Sequence, residues 1–236
     1  MKKSISILGT TLLVSTTLLG AGSAFAQKAV TEINPNPATA TTPITAELTI
    51  NQKPTKPVDP TQPGEGGGDQ VTDISGIYGI AYVPGTLSGQ AELQESGEQR
   101  VSLSNNAATK YNVGVQDKTR KNDQKWVLKA KLAWTNDTNN YMAGTTIATT
   151  SGNVKENKQG NLSALTDSQV ISGGETLAIG QDAEVEVMKA ATGKTMNGVY
   201  NYQFSNPELV IPNPENVAAG TYSGNINWNL EDTPAV

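Results

Sequence analysis

The stretch Tyr222-Ser223-Gly224-Asn225-Ile226-Asn227-Trp228-Asn229-Leu230 decides the fold class. Tyr222, Gly224, Ile226, Trp228 and Leu230 share one parity, and Ser223 with the three asparagines takes the other. Side chains on a strand alternate between its two faces, so this period-2 pattern predicts a strand with one apolar and one polar face. A second stretch repeats the arrangement upstream. Trp126, Leu128, Ala130, Leu132 and Trp134 form an apolar face, with Lys129 and Lys131 on its back.

Working outward, the same alternation recurs at regular intervals. Ile74 to Tyr82, Tyr111 to Val115, Ala183 to Val187 and Tyr200 to Phe204 each keep apolar residues in step, separated by Gly, Asn, Asp and Pro. No window of comparable quality has helical period, and the one helical candidate, residues 214–219, is a turn or two long. Many short strands with turn residues between them predict an all-β fold, an antiparallel β-sandwich or a barrel-like domain. In either arrangement the polar faces are expected to meet solvent. Ala46, Leu48 and Ile50 alternate with Glu47 and Thr49, which predicts a further strand ahead of the rest.

Residues 53–70 interrupt the pattern. Prolines at 54, 57, 60 and 63 give way to Gly66-Gly67-Gly68, which is the composition of a surface loop or linker. At the start of the chain, Lys2 and Lys3 precede an apolar run from Ile5 to Leu19, and Ala24-Phe25-Ala26 fits the A-x-A cleavage pattern. Residues 1–26 are therefore expected to be an export signal, and 27–43 a flexible leader. The apolar run falls short of the roughly 20 residues that cross a bilayer, so no membrane insertion is expected after cleavage.

Composition narrows the chemistry. The 236 residues include no cysteine and no histidine, which removes disulfides, acylated-cysteine anchors, the usual nucleophile–base pairs and the main transition-metal ligands. Loss of Lys2 and Lys3 with the signal leaves 15 basic and 22 acidic residues, a net charge of −7. That balance argues against nucleic acid, whose binders cluster Lys and Arg to displace phosphate counterions. Asp and Asn in loops such as 136–138 are explained by turn formation, and no D-x-D-x-D-G calcium loop is present. No cofactor and no metal are expected. Glu184 and Glu186 lie on the polar side of a strand, where a solvated face explains them better than glycoside hydrolysis does.

The two tryptophan strands carry a resemblance to a known family. Trp126-Val127-Leu128, after Val113-Gly114-Val115-Gln116-Asp117, and Trp228-Asn229-Leu230, after Leu209-Val210-Ile211-Pro212 and Tyr222, resemble the paired Trp-x-Leu motifs of the WxL domain of Gram-positive surface proteins. Residues 57–63 resemble the family's proline-rich segment, and Tyr82-Val83-Pro84 and Pro234 resemble later landmarks. One departure is that Lys125 and Val127 stand where the first motif is associated with glycine and threonine.

If the match holds, residues 44–236 form one WxL domain with the proline stretch inside it. The resemblance implies a non-enzymatic, secreted protein held non-covalently on peptidoglycan, in company with membrane-anchored surface proteins and other WxL proteins. The absence of an LPxTG sorting signal agrees with a chain that is shed or held without a covalent bond. A host-matrix or bile-component adhesin, and a wall-active hydrolase, remain as alternatives.

Trp126, Leu128, Trp228 and Leu230 are the candidate motif residues. Each indole has two readings: it fills the core, where its burial contributes large area, or it stands at the surface, where sugar rings could stack on it. Asn225, Asn227 and Asn229 could bond a glycan or meet water.

Overall fold

The computed structural model describes residues 34–105, 108–191 and 193–232. The expected export signal, the first part of the leader and Pro234 lie outside the described residues. The chain divides into two units, Met1–Glu47 and Leu48–Val236. In the first, residues 34–47 are exposed and form no strand.

The expected strand over residues 46–50 is absent, and Leu48 is 93% exposed. Alternation makes a segment fit for a sheet, but a strand also needs a neighbour to bond its backbone, and periodicity does not supply one.

Among its described residues the second unit is built of twelve strands and one short 3₁₀ turn. The strands are β1 (Gln70–Val71), β2 (Tyr78–Val83), β3 (Gln99–Ser102), β4 (Lys110–Asp117), β5 (Trp126–Trp134), β6 (Thr146–Lys158), β7 (Asn161–Ser163), β8 (Val170–Ser172), β9 (Leu177–Ile179), β10 (Val185–Ala190), β11 (Gly198–Ile211) and β12 (Gly224–Asp232). The turn, Pro214–Asn216, occupies the one helical candidate. All pairings are antiparallel. One sheet runs β1-β2-β4-β11-β6-β7, with β3 added to β11 and β9 to β6, and the other runs β12-β5-β10-β8.

The two sheets close on a shared core and not into a barrel. Tyr111, Val113, Val115, Tyr200, Tyr202 and Phe204 come from the larger sheet; Trp126, Leu128, Ala130, Leu132, Val187 and Met188 come from the smaller. Aromatic stacking of Tyr111 on Phe204, with ring centres 5.6 Å apart, adds to the area burial. In β10 the register slips between Glu186 and Met188, a bulge that turns both Val187 and Met188 inward.

The larger sheet corrects one expectation. Its polar face does not meet solvent: Asn112, Gln116, Asn201 and Gln203 are all at most 2% exposed. The proline- and glycine-rich stretch, residues 53–70, lies over this face as a strap and bonds it in detail. The Glu65 carbonyl accepts from Asn112 Nδ2 and from Gln203 Nε2, both at 2.8 Å. The Val58 carbonyl accepts from Asn157 Nδ2 at 2.7 Å, and the Thr61 amide donates to the Gly160 carbonyl at 3.0 Å. Prolines 57 and 60 are buried.

The physical reason is that the Val58 and Glu65 carbonyls of the strap are met by side-chain amides on the sheet. Left unmet, each buried polar group would cost about 1–3 kcal/mol. Beneath the strap the Tyr82 hydroxyl donates to Asn201 Oδ1 at 2.9 Å. The Tyr82 ring lies on Gly114, where an added Cβ would come within 2.4 Å of it, so only glycine fits beside this ring.

Candidate functional site

β5 and β12 carry the two tryptophan motifs and pair directly. Leu128 stands opposite Leu230, Val127 opposite Glu231, Trp126 opposite Asp232 and Ala130 opposite Trp228. Because the strands are antiparallel, Trp126 and Trp228 are offset by four positions along the ladder, about 13 Å at the usual rise per residue. The motifs are adjacent, but their indoles do not form one stacked pair.

On the inner side the motif letters are structural. Trp126 is 1% exposed, and its indole Nε1 donates to Asp117 Oδ2 at 3.2 Å. The other oxygen of Asp117 accepts from the Thr119 amide at 3.1 Å and from its hydroxyl at 2.7 Å. A buried carboxylate is thus bonded on both oxygens, which is the condition for keeping it inside. Leu128 is fully buried. Trp228 and Leu230 pack on the same core but stay half-buried, because β12 is the last strand of its sheet among the described residues.

The outer side is polar and open. The Lys129 ammonium bonds Glu231 at 2.6 Å and lies 3.7 Å from Glu184. Asn229 Nδ2 donates to Glu184 at 3.0 Å and to Glu231 at 2.9 Å. The hydrogen bond that Lys129 donates to Glu231 raises its pKa, opposed by desolvation. Beside this network lies a shallow depression of about 560 Å³ whose lining includes Val127, Ile171, Glu186, Lys189 and Ala190. Val127 is 5% exposed and forms part of its floor.

The residues between the named letters of each motif, Val127 and Asn229, therefore face outward, and the named letters face inward. The β5 and β12 part of this outer face was readable as the polar back of each strand. Glu184 and Glu186 were likewise readable as the polar side of a strand, but that this strand, β10, pairs with β5 was not, because no sequence pattern tells which strands are neighbours. Chemically, the face offers amide donors, paired charges and a small apolar floor. Its carboxylates at 184 and 231 are engaged by Lys129 and Asn229 on an open surface and not poised across a cleft. Among the described residues no cluster of three or more potential metal ligands occurs, and Asp137 instead accepts from the Tyr141 and Met142 amides at 2.8 Å each, closing a turn.

The chain is an all-β, two-sheet sandwich in which the two motif strands pair and present a polar outer face. The family described as WxL domain surface cell wall-binding matches residues 35–234, nearly the whole chain. The chain belongs to this WxL family, a binding and non-catalytic one, and is a cell wall-binding surface protein. Searches of curated proteins and of solved structures found no match. No described helix is long and apolar enough to cross a membrane.

Proposed function

We propose that the protein is exported by a Gram-positive cell and held non-covalently on peptidoglycan by the outer face of β5, β12 and β10. The observation that carries this reading is the division of labour within the motifs. Trp126 and Leu128 are spent on the core, Trp228 and Leu230 brace the edge strand, Val127 is buried at the floor of the depression, and Lys129, Asn229 and Glu231 are left to the surface. Peptidoglycan presents sugar hydroxyls, N-acetyl groups and peptide amides. A flat face of amide donors and carboxylate acceptors around a small apolar floor suits such a ligand, and the chain's net negative charge leaves no role for generic attraction to an anionic wall.

The motif residues then act on binding by holding the ribbon flat. Membrane-anchored surface proteins and other WxL proteins are the partners this reading adds. The test is co-sedimentation with purified Gram-positive sacculi. The wild-type chain is expected to pellet with them, and Lys129→Ala combined with Asn229→Ala to bind roughly tenfold more weakly or worse at unchanged melting temperature. A wild-type chain that stays in the supernatant refutes wall attachment. A double variant that binds as wild type refutes only the assignment of the face.

A further inference from the structure

Two parts of the fold are unfinished in a complementary way. Residues 44–50 have the alternation of a half-buried strand, yet Ile44 is 90% and Leu48 93% exposed. The family match begins at residue 35, so this segment belongs to the domain and is not an appendage.

The second unfinished part is β12. Its nine residues pair with β5 in unbroken register from Gly224 to Asp232, and nothing pairs with its other side among the described residues. Every second residue of such an edge turns its N–H and C=O away from the sheet. Exposed edges in monomeric proteins are blunted by shortness, bulges, proline or lysine. The smaller sheet's other edge, β8, is three residues long, and in the larger sheet β1 has two and β7 three. β12 has none of these devices: it is long, carries no bulge, no proline and no lysine, and leaves its inward residues Ile226, Trp228 and Leu230 half-covered.

We propose that residues 44–50 of one molecule add as a strand to the open edge of β12 in a second copy of this chain. The added strand would place Ile44, Ala46, Leu48 and Ile50 over the half-covered side of Ile226, Trp228 and Leu230, with Glu47 and Thr49 outward. Its backbone would take up the unpaired groups of β12, the mode of recognition in which an extended segment extends a sheet. Charge agrees: β12 ends in Glu231 and Asp232 and bears no cation, and the donor segment is followed by Lys53 and Lys56. The occupant is a second copy because this chain carries both complements: a strand-patterned segment that joins no ladder and an open edge, each among the described residues. Donor and acceptor are different segments of the chain, so the contact is heterologous and can continue from one copy to the next.

Sedimentation velocity of the purified chain over a dilution series tests this directly. Species of twice the chain mass or larger are expected, growing with concentration. Leu48→Asp is expected to abolish them at unchanged melting temperature, since an exposed side chain carries no core. A wild-type chain that is monomeric throughout overturns the proposal, as does association that Leu48→Asp leaves intact.

Because the chain has no cysteine, single-cysteine variants locate the contact. Thr49→Cys in one molecule is mixed under oxidation with Asn225→Cys, Asn227→Cys or Asn229→Cys in another. Covalent dimers of the mixed pair are expected for at least one partner. Crosslinks that form only when both cysteines lie on one chain, yielding a monomer, overturn it. Wall binding is read separately with sacculi, so Leu48→Asp failing to associate while still pelleting supports this contact without bearing on the wall-binding face.

Discussion

Leu128 and Leu230, the closing letters of the two motifs, stand directly opposite each other on β5 and β12, yet Leu128 is fully buried and Leu230 only half-buried. The difference comes from topology: β5 is flanked on both sides, and β12 on one. Leu128→Ala should cost about 2–5 kcal/mol, the range for a leucine deleted from a packed core. Leu230→Ala should cost about half as much or less. Urea unfolding of the two variants measures the contrast, and equal losses would mean that β12 is covered on its far side.

The indole of Trp126 is predicted to matter through its N–H as well as its bulk. Trp126→Phe keeps an aromatic ring in the core but leaves Asp117 Oδ2 without the donor at 3.2 Å. A hydrogen bond to a buried charge is worth about 1.5–3 kcal/mol. Denaturant unfolding should show a loss in that range, and a cycle with Asp117→Asn should show the two positions to be coupled. Additive effects would refute the pairing as a source of stability.

Gly114 is predicted to reject alanine. The Tyr82 ring occupies the space a Cβ would need, and an added Cβ would come within 2.4 Å of it. Pushing the ring away would also strain its bonds to Asn201 and Asn157, at 2.9 Å each. Gly114→Ala should lower stability by about 1–3 kcal/mol or more, read as a drop in melting temperature. An unchanged transition would show that the ring can move freely.

These cases show where the sequence was legible. β5 and β12 each announce themselves by alternation, because one face of each is buried and the other open. β11 was legible on its Tyr200, Tyr202 and Phe204 side only. Asn201 and Gln203 look like a solvent face, since an amide side chain reads the same whether it bonds water or the strap's carbonyls. The strap was expected to be a surface loop or linker, and it lies bonded against the polar side of the larger sheet. Proline-rich chain can lie against a sheet when side chains rather than a neighbouring strand meet its backbone. The segment at 46–50 shows the converse, a strand pattern without a neighbour.

The strap carries two carboxyls that titrate in opposite senses. Burial raises Asp69 from 3.8 to about 6, against the bonds from Asn112. The Lys155 and Gln203 bonds lower Glu65 from 4.5 to about 2. The Asp69 contribution to stability is thus full below about pH 3.8 and is lost as pH rises through 6. The Glu65 contribution is full above about pH 4.5 and is lost as pH falls through 2. Melting temperatures over a pH series should therefore peak near pH 4–5. Asp69→Asn should flatten the decline toward neutral pH, and Glu65→Gln the decline toward acid. A wild-type profile that rises steadily to neutrality would contradict this account.

Hydrogen exchange in the presence and absence of purified sacculi tests most directly the claim that the wall is met by the outer face of the motif ribbon. Backbone amides of β5, β10 and β12 should gain protection on binding, with residues 127–129 and 229–231 foremost. Protection confined to the strap or to the larger sheet, or no change anywhere with the protein bound, would contradict it.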